Sequence, residues 1–178
     1  MFCFVFNSLA VLKPGKKDFQ SVGVICTLEK NSSAKVTAKR SSEGPGNASD
    51  VLSRGAGKTC GTAELEESWW CVDIGESHLL FPTHYSLRHG KKEGDSILRR
   101  WKLQGSIDEK DWKDIKTCQR KSDLNFTVPI PYVTGTWEVE GKGGAFRYLR
   151  IFQTSRNSSG KYGIYLSRIE FYGVLLEV

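Results

Sequence analysis

Trp101-Lys102-Leu103-Gln104-Gly105-Ser106-Ile107-Asp108-Glu109-Lys110-Asp111-Trp112 is the stretch that decides the fold. Trp101, Leu103 and Gly105 alternate with Lys102, Gln104 and Ser106, a period of two that puts one face of a strand in a core and the other in water. The strand ends in Gly-Ser. Asp108 is then placed to accept backbone N–H groups within a turn, and Trp112 closes the unit by packing back on the sheet.

The same period recurs on either side. Tyr85 and Leu87 oppose His84, Ser86 and Arg88; Ile169 and Phe171 oppose Arg168, Glu170 and Tyr172. Residues 69–74 and 146–153 are apolar on both faces, as central strands covered twice would be. Shorter strands are expected at 35–40, 113–117 and 136–139. Turn signals separate them at Gly75-Glu76-Ser77, 90–94, 108–111, 141–144 and 157–160. About eight short antiparallel strands, with no dozen-residue helix between them, predict an all-β jelly-roll sandwich rather than a parallel α/β sheet.

The chain has 178 residues, enough for one domain. Residues 1–34 read as an N-terminal lead-in, partly disordered, and 35–178 as the sandwich. The net charge of +6 is unevenly held: residues 1–58 carry nine Lys or Arg against four Asp or Glu, and residues 59–178 seventeen against sixteen. The strand-rich part is therefore nearly neutral, whereas a protein that tracks phosphates needs its basic excess on the folded surface. No nucleic-acid partner is expected.

Cys3, Cys26, Cys60, Cys71 and Cys118 are odd in number and contain no C-x-x-C pair. With His78, His84 and His89 they make no zinc set and no regular disulfide framework. They read as buried thiols of an intracellular protein, cytoplasmic or nuclear. Residues 2–12 are apolar but too short to span a bilayer, which takes about 20 residues, so no transmembrane segment is expected. Tripeptides beginning at Asn31, Asn47, Asn125 and Asn157 fit the glycosylation pattern, which polar loops produce by chance.

Gly57-Lys58-Thr59 imitates a phosphate loop, but Leu52 stands where the first glycine belongs. His84, Arg88 and His89 lie near Asp73 and Glu76 in the chain, without a nucleophile beside an activating base. Arg99-Arg100-Trp101 could be a basic–aromatic patch; it reads more simply as two solvated arginines before a core Trp. No catalytic residue, metal or cofactor is expected.

The Trp101–Trp112 unit, Phe146-Arg147-Tyr148-Leu149-Arg150-Ile151-Phe152-Gln153-Thr154 and the closing Arg168-Ile169-Glu170-Phe171-Tyr172-Gly173 together resemble the galactose-binding-like, or discoidin/coagulation-factor type C, superfamily. Trp69-Trp70-Cys71-Val72-Asp73-Ile74-Gly75 and His84-Tyr85-Ser86-Leu87-Arg88-His89-Gly90 bring it nearest the intracellular branch, the Doc domain of ubiquitin ligases and modules appended to BTB-type adaptors. The flanking Cys pair of the secreted domains has no counterpart. The resemblance implies a jelly-roll sandwich without catalytic residues that binds through loops at one end. On that basis the chain is expected to be an interaction module for a protein or peptide partner, in substrate recruitment or scaffolding. The expected contact residues are His84, Arg88, His89, Gln153, Thr154, Asn157 and Ser158. A carbohydrate or phospholipid ligand is the alternative.

Overall fold

The structure is a computed structural model that describes residues 7–15, 22–30, 35–55, 58–93, 95–119, 132–140 and 143–178. Its strands are β1 (Asn7–Leu12), β2 (Thr37–Arg40), β3 (Cys60–Gly61), β4 (Trp69–Asp73), β5 (His78–His89), β6 (Trp101–Ser106), β7 (Lys113–Cys118), β8 (Thr134–Glu138), β9 (Tyr148–Gln153) and β10 (Tyr165–Glu177). One sheet runs β1-β10-β5-β8, with β3 also on β10, and the other β2-β4-β9-β6-β7. Their described ladders are antiparallel throughout. This is the two-sheet all-β sandwich that the alternation predicts, with eight expected strands in place and two more, β1 and β3, beside them.

Tyr85, Leu87, Ile169 and Phe171 face inward from the first sheet; Trp70, Val72, Trp101, Leu103, Leu149 and Ile151 meet them from the second, all buried. Where the sheets meet, the Trp101 indole N–H donates to the Tyr85 hydroxyl at 2.9 Å, which lies 3.1 Å from Cys118 Sγ. Trp137 stacks on Tyr85 at 5.3 Å and meets Trp101 edge-on at 5.1 Å. Such ring pairs add about 0.5–1.5 kcal/mol beyond the area they bury.

Strand β5 starts at His78, five residues before its clean alternation, because Pro82 interrupts the pattern without ending the strand. Pro82 lies opposite Gly173, where the β5–β10 register shifts. At such an irregularity a missing N–H is tolerated.

From the lead-in, β1 pairs with the end of β10, and a helix, α1 (Val24–Lys30), packs on β10. Val24, Ile25 and Leu28 are fully buried. With seven residues α1 is too short to be stable alone, so tertiary packing holds it. Glu170 projects from the outer face of β10 and accepts the Ile25 N–H at 2.8 Å and the Phe171 N–H at 3.1 Å; Arg168 lies 3.4 Å away. Burial pushes the Glu170 carboxyl up from its ordinary range, opposed by those two N–H groups. The disorder expected within residues 1–34 concerns positions outside the described residues.

Candidate functional site

Antiparallel pairing brings several strand ends together. Gln153, the last residue of β9, lies opposite Trp101, the first of β6. His89, the last of β5, lies opposite Leu166 near the start of β10. The connections 90–100 and 154–164, with 62–68 ahead of β4, therefore form one rim of the sandwich.

Buried polar groups hold that rim in shape. Gln153 Oε1 accepts the Gly163 N–H at 2.9 Å, and Thr62 Oγ1 accepts the Ile164 N–H at 3.0 Å. Trp70 Nε1 donates to the Ile164 carbonyl at 3.2 Å. Asn157 Oδ1 accepts from Ser159 N and Lys161 N at 3.0 and 3.2 Å, while Nδ2 donates to the Gly163 carbonyl. The turn needs Gly160 and Gly163, whose φ angles of +74° and +109° a side chain would strain. The two long loops are stitched by Ser158 N donating to the Ile97 carbonyl and Ile97 N to Ser158 Oγ, at 2.9 and 2.8 Å. Ser96 N donates to Ser159 Oγ at 2.9 Å. His89 Nε2 sits 2.9 Å from the Asp95 carbonyl, which can only accept, so this nitrogen carries the proton. Burial lowers the His89 pKa, partly opposed by the Asp95 carbonyl.

Above this scaffold lies a depression of about 620 Å³ lined by Arg99, Arg100, Thr154, Ser155, Arg156, Asn157, Ser158 and Tyr162. Arg156 donates to the Gly160 carbonyl at 3.0 Å and lies 5.0 Å over the Tyr162 ring. The nearby Glu66 carboxylate pushes the Tyr162 pKa up. The Arg100 carbonyl accepts from Thr154 N at 3.0 Å. The lining offers hydroxyls and guanidiniums and contains neither an imidazole nor a carboxylate.

The structure brings Gln153, Thr154, Asn157, Ser158 and His89 to this rim, in different roles. Thr154 and Ser158 are exposed. Gln153, Asn157 and His89 are 1%, 5% and 3% exposed and spend their polar atoms on the loops, so they position the surface rather than touch what lies on it. His84 and Arg88 stand elsewhere, on the outer face of the first sheet. His84 pairs with Tyr172 and Glu138 in mid-strand, about 17 Å from His89 at roughly 3.4 Å per residue. Arg88 donates to Ser167 Oγ at 3.0 Å and to the Gly55 carbonyl at 2.7 Å, so it ties the outer face together.

Arg99 and Arg100 are the basic pair read from the sequence as solvated arginines before a core Trp, and both border the depression. Nothing local in the sequence marks Arg156 or Tyr162. Among the described residues no group of three or more His, Cys, Asp or Glu could hold a metal ion, and no helix is long and apolar enough to cross a membrane. Cys26, Cys60, Cys71 and Cys118 are buried free thiols; burial pushes Cys60 to about 11 and Cys71 to about 12. Lys58 of the phosphate-loop look-alike is ion-paired with Asp50 at 2.8 Å.

Solved structures that share this architecture include carbohydrate-binding modules. A CBM32-3 module from a family 31 glycoside hydrolase of Clostridium perfringens superposes with a TM-score of 0.63 at 11% identity, over 80% of this chain and 96% of that one. The fifth CBM32 module of a family 89 enzyme of that organism, in complex with GalNAc-β-1,3-galactose, gives 0.60 at 12% identity, over 77% and 94%. The fold is therefore the galactose-binding-like β-sandwich. No family model matches the sequence. Curated relatives of this chain are much larger. The E3 ubiquitin-protein ligase hecd-1 of Caenorhabditis elegans is 34% identical over 90% of this chain, and the ligase Ufd4 of Drosophila melanogaster 35% over 75%. A BTB/POZ domain-containing protein of Arabidopsis thaliana is 28% identical over 60%. The chain spans 6% and 5% of the length of the two ligases.

Proposed function

We propose that this galactose-binding-like domain is a non-catalytic binding module that holds a protein or peptide partner against the rim, recruiting substrate or scaffolding a larger ubiquitin-ligase or BTB-type adaptor protein. One observation carries the reading. The rim loops are pinned from within by Gln153, Asn157 and His89, with Ser158 Oγ accepting the Ile97 N–H, while exposed Arg100, Thr154 and Arg156 border the depression on that fixed backbone. A preorganised surface of this kind binds without a large ordering cost. The serine and threonine hydroxyls of the depression have no imidazole or carboxylate beside them in its lining. Kinship with ubiquitin ligases supports a protein partner and, with the buried thiols, a cytoplasmic or nuclear setting.

The carbohydrate reading has less support at this site. A sugar ring would stack on an exposed aromatic face, and the aromatic of the depression, Tyr162, already has Arg156 over its ring.

Affinity capture from cell extract, read by mass spectrometry, tests the proposal. The wild-type chain is expected to retain a defined set of proteins that Ser155→Trp, which fills the depression, loses and His84→Ala keeps. Retention by Ser155→Trp, or specific saturable binding to a glycan array with no protein retained, would overturn it.

A further inference from the structure

We propose that the rim depression reads an acidic peptide segment, with the guanidiniums of Arg100 and Arg156 receiving its Asp or Glu carboxylates; this rests on the rim being the partner-binding surface. The contrast with arginines elsewhere in the molecule is the starting point. Arg40 pairs with Glu43, Arg168 with Glu170, and Arg147 grips Asp73 through two bonds of 2.8 and 2.9 Å. Arg150 bonds Gln104 at 2.9 Å and stacks on Trp112 at 4.0 Å. Among the described residues, Arg54, Arg100 and Arg156 form no ion pair with a carboxylate, and of these three Arg100 and Arg156 border the depression.

Arg156 is also held ready. One N–H is bonded to the Gly160 carbonyl, and the guanidinium carbon lies 5.0 Å from the centre of the Tyr162 ring. A guanidinium has five donors in a rigid fork that matches a carboxylate, so most of Arg156's donors remain for a ligand and little side-chain entropy is left to lose. Thr154, Ser155 and Ser158 add hydroxyls around the forks.

The neighbouring loop sets the direction. Glu64 pairs with Lys161, and the Glu66 carboxylate acts on Tyr162, which disfavours a ligand carboxylate at Tyr162 itself. Between them in the chain, Leu65 is 58% exposed. The segment that fits places acidic side chains over Arg100 and Arg156 and an apolar one toward Leu65. A nucleic acid fits less well, because residues 59–178 carry seventeen Lys or Arg against sixteen Asp or Glu and offer no long basic track.

Panning a random 12-residue peptide library against the full chain, then measuring the enriched peptides by fluorescence anisotropy, tests this. Enriched peptides are expected to carry Asp or Glu near an apolar residue, and to weaken about tenfold when those acids become amides. Arg100→Gln and Arg156→Gln are each expected to weaken binding by a similar factor at an unchanged melting temperature, with partial recovery in Arg100→Lys and Arg156→Lys. Neutral or basic peptides bound equally well by both Gln variants would overturn the inference. If Ser155→Trp abolishes binding of those peptides, the rim reading survives; if it does not, or if no peptide is enriched, both fall. Binding of phosphorylated but not carboxylate peptides, or displacement of the peptides by single-stranded RNA, also overturns it.

Discussion

Tyr85 stands at the point where the two sheets touch. Its ring packs on Trp137, and its hydroxyl is the acceptor for the buried Trp101 N–H. Tyr85→Phe keeps the ring and leaves that N–H without this acceptor, so a loss of about 1–3 kcal/mol is expected, measured by urea denaturation. A change below about 0.3 kcal/mol would mean that the bond adds nothing to stability. Sequence alternation made the inward direction of Tyr85 and Leu87 legible, since neighbours on a strand point to opposite faces. The bond from Trp101 to Tyr85 was not legible, because it joins strands of different sheets. The site residues divide along the same line. Thr154 and Ser158 follow a strand end and do lie on the rim. That Gln153 and Asn157 turn inward depends on which loop carbonyls and N–H groups come within reach, and chain order alone does not give that.

At the scale of elements, the alternating strands could be read directly, and the pieces without a period could not. Helix α1 exists because Val24, Ile25 and Leu28 find an apolar seat on the sheet, and because Glu170 receives the Ile25 N–H. Seven residues show too little of a helical period to be recognised alone. Glu170→Ala is expected to cost about 1–3 kcal/mol, because the buried Ile25 N–H then loses its acceptor. Hydrogen exchange at residues 24–28 should quicken along with it; unchanged exchange there would show that α1 does not depend on Glu170. The rim loop 90–100 leans on His89. Burial lowers the His89 pKa, so on acidification the unfolded chain takes up a proton that the folded chain resists. The stability this gives is fully present above the ordinary His value of about 6.5, and is lost as the pH falls from there toward the folded value. His78, also lowered by burial, acts in the same direction. Melting temperature should therefore fall between pH 7 and pH 5, and His89→Gln, which keeps a donor without the titration, should flatten the fall. An equal slope in the variant would remove His89 from that account.

Across the whole molecule, an apolar two-sheet core fixes a set of loops whose polar surface is the place proposed for a partner. The sandwich could be foreseen from residues 35–178 because its strands alternate and turns punctuate them. The rim took shape only once pairing put Gln153 beside Trp101 and Leu166 beside His89, contacts made between residues tens of positions apart. That pairing also moved the arginines of the depression into view and left His84 on a different face. A photocrosslinking residue placed singly at Ser155, His84 and Lys110, followed by irradiation in cell extract, measures directly where a partner sits. Ser155 lines the depression, and Lys110 is exposed in the turn at the opposite end of the sandwich. The account predicts a discrete covalent product from position 155 and none from 84 or 110. Products from 84 or 110 with none from 155 would contradict it.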